Sequence, residues 1–204
     1  MTTRTATPAS TGPLTAEHHR ELALAQERGA KIRKAAGVAS FNGWITGIIA
    51  ASSALFTMVS FSLVGLLLTA GLAAVAYNEF RGRDRLLAFD PSAAAVLGWN
   101  QLGLLAMITV YCGWMMFTSL TGPSPISAEL QSSPEVREVL GDMSDLDGAI
   151  RYVSVAFYGL VIVLSAIFQG LNSLYYFTRR RHVEAYVRET PEWVRDVQRS
   201  TGAG

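Results

Sequence analysis

Residues 44–77 form a run of thirty-four positions without a charged side chain, and basic segments flank the run on both sides. A single helix of that length would be roughly 51 Å long at about 1.5 Å per residue. The hydrocarbon core of a bilayer is only about 30 Å thick and is crossed by about twenty helical residues. The run therefore predicts a membrane hairpin of two helices that meet near Ser60.

Two further blocks, residues 91–119 and 152–178, also lack charged side chains, although the chain carries 17 basic and 16 acidic residues. The mean hydropathy of +0.27 agrees with a membrane protein. Long charge-free blocks of this kind predict transmembrane helices. We therefore predict an all-α polytopic integral membrane protein in which four transmembrane helices form a bundle. Its spans are placed at residues 38–58, 61–78, 92–119 and 152–178.

The segments outside the spans differ in composition. Residues 1–14 are rich in Thr, Ala, Ser and Pro and predict a disordered tail. Thr15 can cap a cytoplasmic amphipathic helix over residues 15–37, and a basic amphipathic tail is expected over residues 179–204. Asp90 followed by Pro91 is typical of a helix start, because the carboxylate caps free N–H groups and proline needs no donor there. We therefore expect the third span to begin at Pro91 and residues 78–91 to form a basic loop.

The segment between the third and fourth spans, residues 120–149, is polar and acidic. Ser133 can cap a short helix that begins at Pro134. Residues 142–148 (DMSDLDG) resemble an EF-hand loop only superficially, because the ligand order, the central glycine and the terminal glutamate are absent. We therefore expect an acidic outer loop and no calcium site.

Basic residues are distributed unequally among the connecting segments. Five lie between Arg20 and Lys34, three in the loop after the second span and four between Arg179 and Arg188. The positive-inside rule then places both termini and residues 78–91 in the cytoplasm. Fifteen arginines against two lysines are associated with a GC-rich bacterial genome, so the expected location is a bacterial cytoplasmic membrane.

The predicted spans contain no ionisable side chain away from their ends. Proton-coupled pumps, haem proteins and intramembrane proteases need such groups at membrane depth. We therefore expect a protein that is not an enzyme and holds no cofactor. Cys112, the single cysteine, excludes an intrachain disulfide. His18 and His19 with nearby glutamates can be drawn as a metal site, but a solvated helix face explains them better, and no metal is expected.

Amide side chains do occur in the predicted spans, at similar depths. Asn100 and Gln101 lie roughly 12 Å inside the start of the third span at about 1.5 Å per residue. On the fourth span, Ser165, Gln169 and Asn172 share one helical face. These residues predict either a polar pocket open to the cytoplasmic leaflet or interhelical hydrogen bonds that hold the two spans together.

Small and basic residues indicate other contacts. Small residues allow membrane helices to approach closely, and those expected to pack are Gly43, Gly47, Gly65 and Gly170. The two hairpin helices can pack against each other through Gly43, Gly47 and Gly65. Alternatively, Gly43 and Gly47 can pair two copies of the chain. Basic residues near the span ends are expected to contact lipid headgroups; they are Arg33, Lys34, Arg179, Arg180 and Arg181.

The functional expectation from these features is a non-enzymatic accessory or scaffold subunit. It would bind other membrane proteins, or itself, through small-residue helix faces and its cytoplasmic helices. The alternative is a small oligomeric channel or lipid-binding transporter with an amide-lined pocket. The expected partners are the lipid bilayer and a homo-oligomer or larger membrane complex, with no role for nucleic acid.

Overall fold

The computed structural model of the chain describes residues 14–122 and 144–201. This part of the chain is helical throughout, apart from short connections. Its five helices are α1 (Ala16–Ser60), α2 (Leu63–Leu87), α3 (Pro91–Thr121), α4 (Ser144–Glu189) and α5 (Glu192–Thr201), where α4 and α5 are numbered in chain order. The first four are long and apolar enough to cross a membrane, so the all-α class is confirmed and the number of such helices matches the four predicted spans.

The hairpin turn lies where the length argument placed it. α1 ends at Ser60, and Phe61 adopts a left-handed backbone conformation with φ 48°. Ser62 then caps α2, because its hydroxyl accepts a hydrogen bond from the Gly65 N–H at 3.2 Å. Two residues thus reverse the chain, with the Phe61 N–H bonded to the Thr57 carbonyl at the end of α1 and the Gly65 N–H bonded to Ser62 at the start of α2.

Two other predicted helix starts agree with the structure. The Thr15 hydroxyl accepts from the His18 N–H at 3.3 Å, and the His18 ring accepts from the Thr15 N–H, which forms a reciprocal cap. Asp90 caps α3 by accepting from the Ser92 N–H at 2.9 Å, and Pro91 takes the first helical position. Local side-chain chemistry therefore defines both starts.

Other predicted boundaries differ from the structure. The expected helix over residues 15–37 and the first span are one continuous helix, α1. Residues 78–87, expected in a loop, extend α2, because Glu79, Gly82 and Leu86 continue its buried face at helical spacing. Residues 144–149 of the expected acidic loop belong to α4. Residues 1–13 of the expected tail, the helix from Pro134 and residues 142 and 143 lie outside the described residues.

The helices pack in adjacent pairs. α1 lies mainly against α2, and α3 against α4, while α1 and α4 meet only over a short stretch. We call the end of the molecule that holds the start of α1, the connection from α2 to α3, the end of α4 and α5 the basic end. The main apolar core lies there and includes Ile32, Leu97, Tyr176 and Val194.

The other end, with the turn at Phe61, is called the opposite end. Its large apolar side chains are mostly exposed, and Phe61 itself is 93% exposed. No residue in the most apolar eighteen-residue window of α4 is buried. Apolar surfaces of this extent suit a lipid environment and would be a liability in water.

Candidate functional site

Glu79 is completely buried between the helices, with 0% of its surface exposed. α2 places it there because Glu79 shares the helix face of Val75 and Leu86, both of which are also buried. The Glu79 Oε1 atom accepts hydrogen bonds from Asn100 Nδ2 and Gln101 Nε2, each at 2.8 Å. The Glu79 Oε2 atom accepts from the Tyr176 hydroxyl at 3.2 Å. Three donors from α3 and α4 therefore surround one carboxylate of α2.

A second layer of polar side chains supports these donors. Asn42 Nδ2 of α1 donates to the Tyr176 oxygen at 3.3 Å. Asn78 Nδ2 donates to Asn100 Oδ1 at 3.3 Å. The Asn100 amide also donates to the Val75 carbonyl at 3.0 Å. We call Asn42, Asn78, Glu79, Asn100, Gln101 and Tyr176 the Glu79 cluster, and all four long helices contribute to it.

The charge of Glu79 is balanced by hydrogen bonds. Within residues 14–122 and 144–201, no Lys, Arg or His nitrogen forms an ion pair with this carboxylate. Burial of an unpaired carboxylate is costly unless donors replace its hydration shell. The exposed rings of Trp44 and Trp99 lie near the same level, as is typical of a membrane interface. An ionisable side chain buried at such a level indicates a functional site.

A cavity of about 690 Å³ lies beside the cluster, between α1 and α4, with α3 behind it. Its polar lining residues are Asn42, Thr46, Gln101, Ser165, Gln169 and Asn172. The other lining residues are apolar, and Phe41, Ile45 and Phe168 among them are exposed. The cavity is therefore amphipathic and opens sideways between two helices that are in contact only near the basic end.

Gln101 joins the cluster to the cavity. Its side chain is 2% exposed and lines the cavity, while its Nε2 atom donates to Glu79. The Oε1 atom is buried and accepts no hydrogen bond within the described part of the chain. Buried polar atoms are nearly always paired, so an unpaired acceptor on a residue that lines a cavity is a candidate contact for a ligand.

The predicted polar residues thus separate into two groups. Asn100 and Gln101 meet at Glu79, whereas Gln101, Ser165, Gln169 and Asn172 meet around the cavity. Glu79 itself was expected in the basic loop over residues 78–91, outside the spans. Its spacing from Val75, Gly82 and Leu86 is the sequence signal that places it on the buried face of a longer helix.

The predicted packing glycines also divide. A Cβ atom at Gly43 would lie 3.1 Å from the Phe80 ring and 3.2 Å from Glu79 Cβ, and one at Gly47 would lie 3.9 Å from Ala76 Cβ. At Gly65 it would lie 2.7 Å from the Thr57 hydroxyl. These three glycines therefore pack within the hairpin. Gly170 differs, because nothing lies within 4 Å of a Cβ built there.

The predicted headgroup-binding residues lie at the basic end. Arg33 Nη2 donates to the Gln26 carbonyl at 2.7 Å, and the Arg179 guanidinium lies 4.6 Å from the Tyr175 ring centroid. Arg180 pairs with Glu184 at 2.8 Å. Lys34 and Arg181 are exposed. The set forms a basic surface around the helix ends.

Comparisons of the chain with known protein families, curated proteins and solved structures find no match.

Proposed function

We propose that this is a non-enzymatic integral membrane protein whose cavity between α1 and α4 binds a membrane-resident amphiphile. The observation that carries this proposal is the cavity of about 690 Å³ with Gln101 in its wall, because that residue has a buried acceptor atom without a donor. The proposal follows the lipid-binding alternative from the sequence more closely than the scaffold interpretation.

The form of the cavity supports an amphiphilic ligand. Its volume lies within the range of about 300 to 1,000 Å³ that is usual for small-molecule sites. The amides of Gln101 and Asn172 are at the side nearer the basic end, and Val161 lies further along α4 toward the opposite end. A ligand that enters from the bilayer could place its polar group near the amides and its alkyl chain against the apolar wall.

We also propose how the protein lies in the membrane. The four long helices would form a transmembrane bundle, and α5 and the first turns of α1 would act as amphipathic surface helices. The basic end would face the cytoplasm of a bacterial cell, with Arg33, Lys34, Arg179, Arg180 and Arg181 near anionic headgroups. Support comes from the concentration of basic side chains at one end of the molecule.

Cysteine accessibility tests this orientation. In a Cys112→Ser background, Ser133→Cys should react with an impermeant maleimide on intact cells. Ser200→Cys should react only after permeabilisation. The reverse pattern would overturn the proposed orientation.

Photolabelling tests the ligand-binding proposal. The protein is placed in phosphatidylcholine nanodiscs with dodecanol or dodecyl methyl ether that carries a diazirine on the alkyl chain. Labels should concentrate on the cavity-lining parts of α1 and α4, found by peptide mapping. Labels spread evenly over the lipid-facing surface with both probes would contradict the proposal.

A matched pair of variants makes this test specific. Ser165→Phe fills the cavity, because Ser165 lines it, and should lower labelling about tenfold. Ala166→Phe adds the same ring at the next residue of α4, which is exposed and does not line the cavity. Labelling in Ala166→Phe should therefore match the wild type. Equal labelling in both variants would show that the probes bind elsewhere.

The scaffold function is the second candidate, and Gly170 favours it. This half-buried residue of α4 has open space where a Cβ would lie, and Ala166 is exposed one turn earlier. Such a pair allows another helix to approach closely. If a partner subunit or second copy packs there, Gly170→Leu should dissociate a complex seen in native gel electrophoresis, and Gly113→Leu, at another open glycine, should not.

A further inference from the structure

We infer that the cavity selects amphiphiles whose polar group donates a hydrogen bond, either a hydroxyl or a primary ammonium, and that Glu79 sets this preference by fixing the orientation of Gln101. The inference rests on the proposed function, because it concerns the ligand of the same cavity. Glu79 does not line the cavity, so its role is that of a positioning residue.

The first step concerns which end of the Gln101 amide faces Glu79. A glutamine side chain carries both a donor group and an acceptor group, and either can in principle point inward. Here Nε2 lies 2.8 Å from Glu79 Oε1. Glu79 Oε1 also accepts a hydrogen bond from Asn100 Nδ2, so it acts as an acceptor, and rotation of the Gln101 amide by half a turn would place two acceptor oxygens in contact. Glu79 therefore holds the amide with its oxygen directed elsewhere.

The hydrogen bonds around Glu79 reinforce this assignment. The Tyr176 hydroxyl accepts from Asn42, so its own proton is available for Glu79 Oε2. The Asn100 amide also directs its nitrogen toward Glu79. Each neighbour of the carboxylate is thus a donor, and the group accepts from all three. The orientation of Gln101 belongs to a network that spans four helices.

The second step concerns the atom that remains unpaired. Gln101 Oε1 is buried without a donor, and the cavity is an open space that this residue contacts. A ligand hydroxyl or ammonium placed there would supply the missing donor. A ligand that carries only acceptors would leave Oε1 unpaired and would place its own oxygen near it. Sites built to pair a polar group discriminate strongly against analogues that lack it.

The third step concerns charge. None of the residues that line the cavity is a Lys or Arg, so nothing in its wall would bind a phosphate or carboxylate. Glu79, directly behind Gln101, adds no positive charge to the site. The wall therefore suits a neutral or cationic donor and disfavours fatty acids and phosphates.

Competition among four compounds with twelve-carbon chains tests the preference. The labelled probe is dodecanol with a diazirine on its alkyl chain, in nanodiscs of phosphatidylcholine, whose headgroup has no hydrogen-bond donor. Dodecanol and dodecylamine should displace the probe at about one tenth of the concentration needed for dodecyl methyl ether or dodecanoate. If the ether competes as well as dodecanol, the selectivity inference is wrong while the proposed function stands.

Glu79→Gln tests the positioning role. The new amide can both donate and accept, so Gln101 becomes free to turn, and the preference for dodecanol over its ether should fall to within about twofold while labelling persists. Ser53→Ala is the control, because it removes an interhelical hydrogen bond to Thr69 that lies outside both the Glu79 cluster and the cavity. The preference of this variant for dodecanol over its ether should remain about tenfold.

Two outcomes would overturn the assignment to Glu79. One is a tenfold preference retained in Glu79→Gln, and the other is an equal loss of preference in Ser53→Ala. A melting temperature recorded for each variant separates a change of selectivity from a loss of fold. If neither the alcohol nor the ether probe labels the wild-type cavity, the proposed function fails together with this inference.

Discussion

The basic end and the opposite end of this molecule are built from the same four long helices, yet they are packed differently. At the basic end, the four helices and α5 enclose a core in which Leu97, Val183 and Val194 have no exposed surface. At the opposite end, side chains such as Phe56 and Val59 are more than three-quarters exposed. The same helices therefore enclose a core at one end and leave their surfaces open at the other.

A membrane location would explain this difference in packing, because the basic end would lie in water and the opposite end in lipid. In water, burial of apolar surface drives packing, and the basic end has the charged surface of a water-exposed region. In lipid, no such force acts between helices, so apolar side chains can remain on the outside and few close contacts suffice. The cavity and the Glu79 cluster lie near the boundary between these two regions. The proposed binding site would at that level be open to the bilayer and would rest on the packed core.

The largest expected effect is at Phe89, in the connection between α2 and α3. This ring is 2% exposed and stacks on Tyr186 with centroids 4.6 Å apart. Phe89→Ala should lower the free energy of unfolding by about 3 to 5 kcal/mol, because truncation leaves a cavity in the core of the basic end. The rate at which the buried Cys112 thiol reacts with a fluorogenic maleimide during heating reports the loss.

Phe117→Ala is the matched change at the opposite end, where the ring is 58% exposed. It should cost less than about 1 kcal/mol, because acyl chains replace the lost contacts. Equal losses of stability in the two variants would show that the two ends are packed equally well. The contrast between a packed basic end and an open opposite end would then be wrong.

The next largest effect on stability is expected from alanine substitutions at two glycines, Gly82 and Gly113. A Cβ at Gly82 of α2 would lie 2.5 Å from Leu97 Cδ2, and Leu97 is fully buried, whereas a Cβ at Gly113 of α3 would meet nothing within 4 Å. Both changes to alanine gain the same helix propensity. Gly82→Ala should therefore be less stable than Gly113→Ala by about 1 to 3 kcal/mol, the usual range for overpacking. The same thermal assay measures both, and a difference near zero would mean that Leu97 can move aside.

Much of the fold could be predicted from short-range sequence features. The length of the charge-free run and the residues around Ser60 were enough to place the hairpin turn, and Asp90 with Pro91 was enough to place the start of α3. Each of these signals acts between residues close in sequence, so no knowledge of the other helices was needed.

The candidate site was predicted less completely, for the opposite reason. Glu79 is paired with residues 21 to 97 positions away, and Asn42 meets Tyr176 across 134 positions. Charge counting placed Glu79 in the loop after the second span, because its burial depends on donors from α3 and α4 that are distant in sequence. The amides on the third and fourth spans were recognised by depth alone, but their division between cluster and cavity depends on how the helices are paired.

A smaller effect is expected at Asp90, on the surface of the basic end. Slight burial raises the pKa of this carboxyl, but hydrogen bonds from Ser92 and Arg85, with the positive charge of Arg85, outweigh it and hold the pKa below its ordinary value. Asp90→Ala should lose about 0.5 to 2 kcal/mol, as is usual for a lost N-cap.

The pH dependence of Asp90 follows from that direction. Because the folded pKa is depressed, its stabilisation is fully present above the unfolded pKa and is lost as the pH falls through the folded value. The difference in melting temperature between wild type and Asp90→Ala should thus be constant from pH 7 to about 5 and shrink below about pH 4. A difference that stays constant down to pH 3 would show that the Asp90 charge contributes nothing.

The smallest effect is expected within the hairpin, toward the opposite end. The Ser53 and Thr69 hydroxyls lie 2.8 Å apart and link α1 to α2. Hydrogen bonds between membrane helices contribute about 0.6 kcal/mol on average, so Ser53→Ala should lower the melting temperature only slightly. Ser52→Ala, at the exposed neighbouring position, is the control and should leave the melting temperature unchanged. A loss in Ser53→Ala as large as that in Phe89→Ala would mean that this polar link, and not the core of the basic end, limits the stability of the protein. In that case the opposite end could not be regarded as the looser half.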